Sequence, residues 1–230
     1  MAYNHGVRIL ENPTSLPSPV IGTAGLQVVF GTAPVNMAAD PYKAANRPII
    51  ADSFEAAKKA VGYSDDFKAY TLCQSMDASF QVFGVAPVVL VNVLDPAKHT
   101  AAVEEKTYTV KDGQAVVDVQ GILLDKMTVK NGEATLTSDV DYAAVFDDKG
   151  QVVINLLQTG SASTATALKV SGTKIDPSKV KTEDIIGGYD VDTGKETGLE
   201  LIRQVYPLTG HVPGIIIAPG FSKDPAVAAA

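Results

Sequence analysis

The run PVVLVNVL at residues 87–94 is almost continuously apolar and rich in β-branched side chains. A strand of this composition is typical of a sheet that is covered on both faces. Two shorter runs of similar character occur at residues 26–31 and 214–218, and Pro219-Gly220 closes the second of them. The order of strand, helix, helix and strand predicts an α/β (α+β) core, in which the strands at 87–94 and 214–218 are buried.

Two helices are predicted between the first two strands. Asp52 is placed to cap a helix over residues 54–61. A second helix is predicted to begin at Ser64 or Asp65 and to continue to Gly84. Its apolar positions keep helical spacing throughout: Phe67, Tyr70, Cys73, Met76, Phe80 and Phe83.

The pattern changes between residues 106 and 185, where Val and Thr are frequent and alternating runs are separated by turn residues. Asp112-Gly113 and Asn131-Gly132 each lie between two such runs, and dipeptides of this type favour the tight turns of antiparallel hairpins. A further turn is predicted at residues 147–150 and a last strand at residues 167–170. We therefore expect a small all-β domain.

The α/β pattern returns after Gly187-Gly188. Thr197 begins a capping box for a helix that Pro207 is expected to end. Asp224 followed by Pro225 is typical of the start of one more helix, of which the sequence holds about one turn. The core is therefore expected to be incomplete at its C-terminus and the chain to be a fragment.

These patterns divide the chain into four segments. Residues 1–20 form an extended N-terminal arm, and residues 21–99 the first part of the core. The β-domain is inserted at residues 100–187, after which the core resumes, truncated, at residues 188–230.

The arm has the pattern of a lone strand. Tyr3, Val7 and Ile9 fall on one face of an extended chain, and three prolines follow within residues 12–19. Proline fixes φ and removes a backbone donor, so this segment cannot fold back as a hairpin. A strand without a neighbour is either a frayed terminus or a strand donated to a sheet on another subunit. The residues alone leave both interpretations open.

Composition excludes several functions. The formal net charge of −7 and the pI of about 4.9 argue against direct nucleic-acid binding through a phosphate-neutralising surface. A single cysteine, Cys73, excludes an internal disulfide and is expected to be buried as a small apolar residue. Apolar runs of strand length predict no membrane insertion, and the N-terminus lacks the pattern of a secretory signal, so we expect a cytoplasmic origin.

The sequence contains no motif that requires an enzyme, a metal or a cofactor. One arrangement supports an alternative, in which an α/β hydrolase uses the loops around Asp95 and His99. Ligands of open α/β sheets gather beyond the carboxyl ends of the strands, where an Asp and a His could act together as a base. These loops could bring five side chains together: Asn36, Asp95, His99, Lys223 and Asp224. A third class, a secreted binding module built on the β-domain, is disfavoured by the absence of a signal sequence and of tryptophan.

A succession of motifs nevertheless resembles one family along essentially the whole chain. The motifs are MAYNHGV at 1–7, VFGTAPVN at 29–36, GYSDD at 62–66, VAPVVLVNV at 85–93, DPAKH at 95–99, DVDY at 139–142, IIGG at 185–188, TGLE at 197–200 and VPGIIIAPGFS at 212–222. In this order they resemble the tail sheath proteins of contractile-tailed phages and R-type bacteriocins. No single motif is diagnostic, but their succession is specific.

The resemblance implies a structural protein without catalytic, metal or cofactor sites. Sheath subunits stack as hexameric rings around the tail tube, and contraction after a signal from the baseplate drives the tube through the target envelope. The partners implied are therefore further copies of the chain, the tube protein and the baseplate, in a virion tail or phage-tail-like particle that assembles in the host cytoplasm. The resemblance also implies an inserted β-domain on the outside of the particle, and an arm whose Tyr3, Val7 and Ile9 face a neighbouring subunit.

Overall fold

The computed structural model describes residues 25–191 and 194–230. Helices and several small sheets are mixed along the chain, as in an α+β protein. The first sheet has the strand order β13-β1-β3-β2. Its strands are β1 (Gln27–Gly31), β2 (Pro48–Ala51), β3 (Val88–Asn92) and β13 (Ile215–Ile217). β1 pairs in parallel with both β3 and β13, whereas β2 pairs antiparallel with β3.

β3 is the centre of this sheet, as its apolar sequence predicts. All five of its residues are buried, and the strand lies between β1 and β2. The one polar member, Asn92, is fully hydrogen-bonded: its side chain donates to the carbonyl of Ala33 at 3.0 Å and accepts from the Ala33 N–H at 3.1 Å. An internal amide that is satisfied in this way fixes the loop after β1 against the end of β3.

The first helix, α1 (Phe54–Val61), lies where the sequence predicts it, but its cap is different. The cap is Ser53, not Asp52, and its hydroxyl accepts a hydrogen bond from the Ala56 N–H at 3.2 Å. Both residues are good caps, and the extended backbone of Ser53 places the right oxygen over the first turn. Gly62 ends the helix with φ +81°, as expected.

The second helix begins later than predicted. α2 spans Thr71–Met76 and continues as a π-helical stretch, Asp77–Val82. Residues 64–70 lie outside the helix, with a turn at residues 67–69. The Thr71 N–H donates to the Thr32 hydroxyl and the Leu72 N–H to the Thr32 carbonyl, so these donors do not bond to the carbonyls that an earlier helix would offer. Cys73 is buried in α2 as expected, and burial raises the pKa of its thiol to about 12.

Two further sheets occupy residues 100–175. One has the order β4-β10-β6-β7 and the other β5-β9-β8. Their strands are β4 (Thr100–Thr109), β5 (Gln114–Gln120), β6 (Thr128–Asn131), β7 (Ala134–Thr135), β8 (Tyr142–Phe146), β9 (Gln151–Leu156) and β10 (Ala167–Ile175). They enclose a second hydrophobic cluster, which includes Val117, Ile154 and Leu168. Ile122 also belongs to this cluster, whereas Leu123 and Ile175 belong to the cluster around β3.

At Asp112-Gly113 the predicted turn forms, but the predicted hairpin does not. The dipeptide does adopt the positive φ of a tight turn, and Lys111 bridges Gln114 across it. However, β4 then pairs with β10 and β5 with β9, so the two strands separate into different sheets. The hairpin at Asn131-Gly132 is confirmed, because β6 pairs with β7 on either side of it. The turn at residues 147–150 between β8 and β9 is confirmed as well.

The last part of the chain forms short elements around the first sheet. They are α3 (Thr182–Ile186), β11 (Gly188–Asp190), β12 (Lys195–Thr197), α4 (Ile202–Thr209) and α5 (Pro225–Ala229). Pro207 lies inside α4 and does not end it, which corrects the prediction; Gly210 ends it in the left-handed conformation. The Thr197 side chain does not cap the helix as the capping box predicts. Asp224 and Pro225 begin α5 as expected, with Asp224 accepting from the Ala226 N–H.

For β13 the prediction of a buried strand is wrong. The sequence predicts a buried strand, but Ile215 and Ile216 are 48% and 54% exposed. β13 lies at the edge of its sheet and pairs with β1 alone among the strands of the described residues. An apolar run looks the same in the sequence whether its faces are covered or open, so the sequence could not reveal this exposure.

Candidate functional site

The structure brings together only part of the predicted crevice. Asp95 and His99 lie in one loop after β3, and the Asp95 N–H donates to His99 Nδ1 at 3.0 Å. Asn36 lines a different cavity, and Asp224 is engaged in capping α5 and in accepting from the Thr182 hydroxyl at 2.9 Å. Lys223 is exposed and does not line the cavity around His99. The five side chains therefore do not form one site.

A residue that the sequence analysis missed completes the cluster around His99. Asp184 of α3 places one carboxylate oxygen 3.3 Å from His99 Nε2, without the geometry of a hydrogen bond, and its other oxygen pairs with Lys98. Asp184 also accepts from the Lys181 N–H at 2.9 Å, a capping contact. No local pattern in the sequence relates Asp184 to His99, because the two residues lie far apart along the chain.

Burial favours the neutral form of His99. The ring is 3% exposed, and this burial lowers its pKa, although the neighbouring Asp184 carboxylate opposes the shift. Because Nδ1 accepts a hydrogen bond, the single ring proton lies on Nε2, on the side of Asp184. Burial would raise the pKa of Asp184, but hydrogen bonds from Lys98 and from the Lys181 N–H outweigh it, and the pKa is lowered.

The contacts of the pair connect separate segments of the chain. A cavity of about 350 Å³ adjoins the cluster, and no Ser or Cys occurs among the described residues that line it. Thr197, which does line it, directs its hydroxyl to the Gly188 carbonyl. The carbonyl oxygen of His99 also accepts a hydrogen bond from the Asp176 N–H at 2.8 Å. His99 lies just before β4 and Asp176 just after β10, so this bond joins the start and the end of the β region. The cluster therefore connects α3 with the segment that follows β3 and the segment that follows β10.

Exposed apolar side chains mark surfaces of another kind. One group surrounds the open edge of the first sheet and the end of α4: Tyr206, Leu208, Val212, Ile215 and Ile216. A second group lies at the end of the π-helical stretch and just after it: Val82, Phe83 and Val85. Apolar surface of this kind, next to a sheet edge with unpaired backbone groups, is typical of a subunit that pairs with further polypeptide.

Tyr3, Val7 and Ile9, the predicted contact residues of the arm, lie outside the described residues. No helix within residues 25–191 and 194–230 is both long and apolar enough to span a membrane. The same residues contain no group of three or more His, Cys, Asp or Glu side chains that could hold a metal ion.

Comparison with known proteins points to one class. No protein-family model matches the chain. The chain is 30% identical, over 229 residues, to the tail sheath protein of the Burkholderia phage BcepMu. The alignment covers 98% of this chain and 45% of the relative, so the chain spans slightly less than half the length of the curated protein it matches. The resemblance to phage tail sheath proteins is thereby confirmed along almost the whole chain.

Proposed function

We propose that this chain is part of a structural subunit of a contractile tail sheath. Such subunits polymerise as hexameric rings around a tail tube and contract to drive the tube through the target envelope. The similarity to a named tail sheath protein over 229 residues carries the proposal. The partners proposed are other copies of the chain, the tube protein and the baseplate, in a virion tail or related particle assembled in the host cytoplasm.

The open edge of the first sheet supports this role. β13 leaves one side of its backbone unpaired among the described strands, and its isoleucines are half exposed. A further strand added there would gain backbone hydrogen bonds, each worth about 0.5–1.5 kcal/mol net, and would cover apolar surface. β13 has only three residues, and its exposed isoleucines would remain in contact with water without such a partner. We therefore propose that β13 is paired in the assembled subunit.

The domain organisation is proposed on the same grounds. Residues 21–99 and 188–230 would form the core domain, and residues 100–187 an inserted β-domain on the outside of the particle. The separate hydrophobic cluster of the β region, and its attachment to the core through β4 and β10, support this division. The position outside rests on the family resemblance alone.

The arm would link neighbouring subunits. Residues 1–20 would donate a strand through Tyr3, Val7 and Ile9, and the proline-rich spacer would let subunits rotate without separating. Deleting residues 1–20 should leave a folded protein with unchanged circular dichroism that no longer forms sheath. Normal tubes from the deleted protein would contradict the role of the arm.

Negative-stain electron microscopy tests the proposed function directly. The relative is about twice as long as this chain, so the protein should be expressed with everything that its reading frame encodes beyond Ala230, and in parallel as the 230-residue chain. Striated tubes or stacked six-fold rings are expected from the longer protein. Uniform monomers at every protein and salt concentration would overturn the proposal.

A further inference from the structure

Two oppositely charged cavities flank α1. Lys58 lines the first and the adjacent Lys59 lines the second, so the helix separates them. The first cavity, of about 650 Å³, lies between the core and the β8–β9 turn, and the second, of about 400 Å³, lies beside β2 and the end of α4. Both are open to solvent, and each carries an unbalanced set of charges.

The second cavity is basic, and we call it the basic pocket. Its charged side chains are Lys43, Arg47, Lys59 and Asp40. Only Lys43 is paired, with Asp40 at 2.8 Å; no carboxylate in the described parts of the chain lies within ion-pair distance of Arg47 or Lys59. The cavity is also lined by Ile49, Ile50 and Leu208, the last of which is half exposed. An apolar surface bordered by two unpaired cations is suited to an acidic protein segment.

The first cavity is bordered by carboxylates, and we call this set the acidic rim: Asp65, Asp66, Asp147 and Asp148. Two lysines share the lining, but Lys58 is directed to Glu55 at 3.4 Å, and Lys149 makes no ion pair in the structure as described. Asp147 is occupied in its own turn, where it accepts from the Lys149 and Gln151 N–H groups. The other three carboxylates are exposed and have no cation within ion-pair distance among residues 25–191 and 194–230.

We propose that the basic pocket of one copy binds the acidic rim of a second copy. The inference rests on the proposed assembly function and names a contact within it. Copies that each carry a net charge of −7 repel one another at long range, and a local region of positive charge facing negative charge reduces this repulsion. The basic pocket supplies that region, and the acidic rim is a concentrated set of carboxylates, three of which have no cation within ion-pair distance among the described residues. Because both lie beside α1, one copy presents both surfaces to its neighbours.

Charge exchange between variants tests the contact without an unknown ligand. One variant carries Arg47→Glu and Lys59→Glu, and the other carries Asp65→Lys and Asp148→Lys; all four side chains are exposed, so folding should be preserved. Sedimentation velocity at low salt measures self-association of each variant and of an equal mixture. Each variant alone should associate on the order of tenfold more weakly than the wild type, and the mixture should recover the wild-type affinity. Raising the salt to 0.5 M should remove most of the difference.

A matched control separates this contact from an effect of net charge. Lys111→Glu with Lys223→Glu changes the net charge as much as the basic-pocket variant, at exposed positions outside both cavities. Wild-type association is expected from this control. The proposal is wrong if the wild type stays monomeric at high concentration, if the control weakens association equally, or if the mixture associates no better than its components.

The outcome is independent of the test of the sheath role. Tubes that form from the longer protein regardless of both charge reversals would leave the proposed function standing and overturn this contact. Conversely, pairwise association that follows the exchanged charges would support the contact even if no tubes form.

Discussion

Replacing His99 by leucine should lower the free energy of unfolding, and by an amount that depends on pH. Leucine fills a similar volume but cannot accept the hydrogen bond that the Asp95 N–H gives to Nδ1. Leaving a buried donor unpaired costs about 1–3 kcal/mol. Asp95 is only partly buried, so water can reach it in part, and we expect a loss of about 1–1.5 kcal/mol at pH 7.5.

The pH dependence follows from the lowered pKa of His99. Burial depresses the pKa in the folded state, so the unfolded chain binds a proton more readily than the folded protein does. The wild type therefore loses stability as pH falls below about 6.5, the ordinary pKa of histidine. Protonation would also place a second donor on Nδ1, facing the Asp95 N–H. The leucine variant lacks this titration, so its deficit should shrink between pH 7.5 and pH 5.5.

Urea denaturation followed by circular dichroism at both pH values measures this difference. Asp184 does not contribute to this pH dependence. Its pKa is lowered in the folded protein, so the stability it contributes is lost only below the ordinary pKa of aspartate, and not between pH 7.5 and pH 5.5. His211→Leu is the control, since it removes an imidazole outside the cluster and keeps His99. A deficit for His99→Leu that is the same at both pH values would refute the account of the cluster.

Further predictions concern backbone conformation, thiol reactivity and the core. Gly187→Ala should lower the free energy of unfolding by several kcal/mol, because φ is +69° and a Cβ would lie 1.9 Å from the Thr197 carbonyl oxygen. Gly113 also has a positive φ, +75°, but open space around it, so Gly113→Ala should cost only about 1 kcal/mol. Urea titrations of both variants measure the two losses of stability. Cys73 should resist a thiol reagent at pH 8 in the native protein, since burial raises its pKa to about 12, and should react at once in urea; rapid native labelling would contradict the buried thiol. Leu90→Ala, in the centre of β3, should cost about 2–5 kcal/mol, and a change under 1 kcal/mol in thermal or urea melts would place β3 outside the core.

Local sequence patterns predicted the elements whose cause is local. The apolar run of β3, the limits of α1 and the hairpin at Asn131-Gly132 depend on residues within a few positions of one another, and all three are confirmed. The resemblance to tail sheath proteins was also visible, because it rests on the order of motifs along the chain.

The local patterns fail where contacts between distant parts of the chain decide the structure. Thr32, which follows β1 and is far from α2 along the chain, accepts a hydrogen bond from the first residue of α2. The turn at Asp112-Gly113 forms as its residues predict, but it does not determine which sheet each strand joins. The partnership of His99 with Asp184 joins elements that no local pattern relates. Pro207 lies inside α4 and the helix continues to Thr209, although a proline there removes one backbone donor; the local sequence does not show that the helix continues.

The way in which β4 and β10 attach the β region to the first sheet has a mechanical consequence. The two strands run antiparallel from Thr100 and Ile175, beside the core, to Thr109 and Ala167 at the far end. A pull on the outer end along this ribbon is shared by two covalent backbones side by side, and it does not have to break the hydrogen bonds between them. A twist or a sideways push acts instead on the contacts beside the core, among them the packing of Leu123 and Ile175 in the core cluster and the hydrogen bond from the Tyr42 hydroxyl to Asp125 at 2.7 Å. The attachment therefore resists extension through two backbones and resists rotation through side-chain contacts.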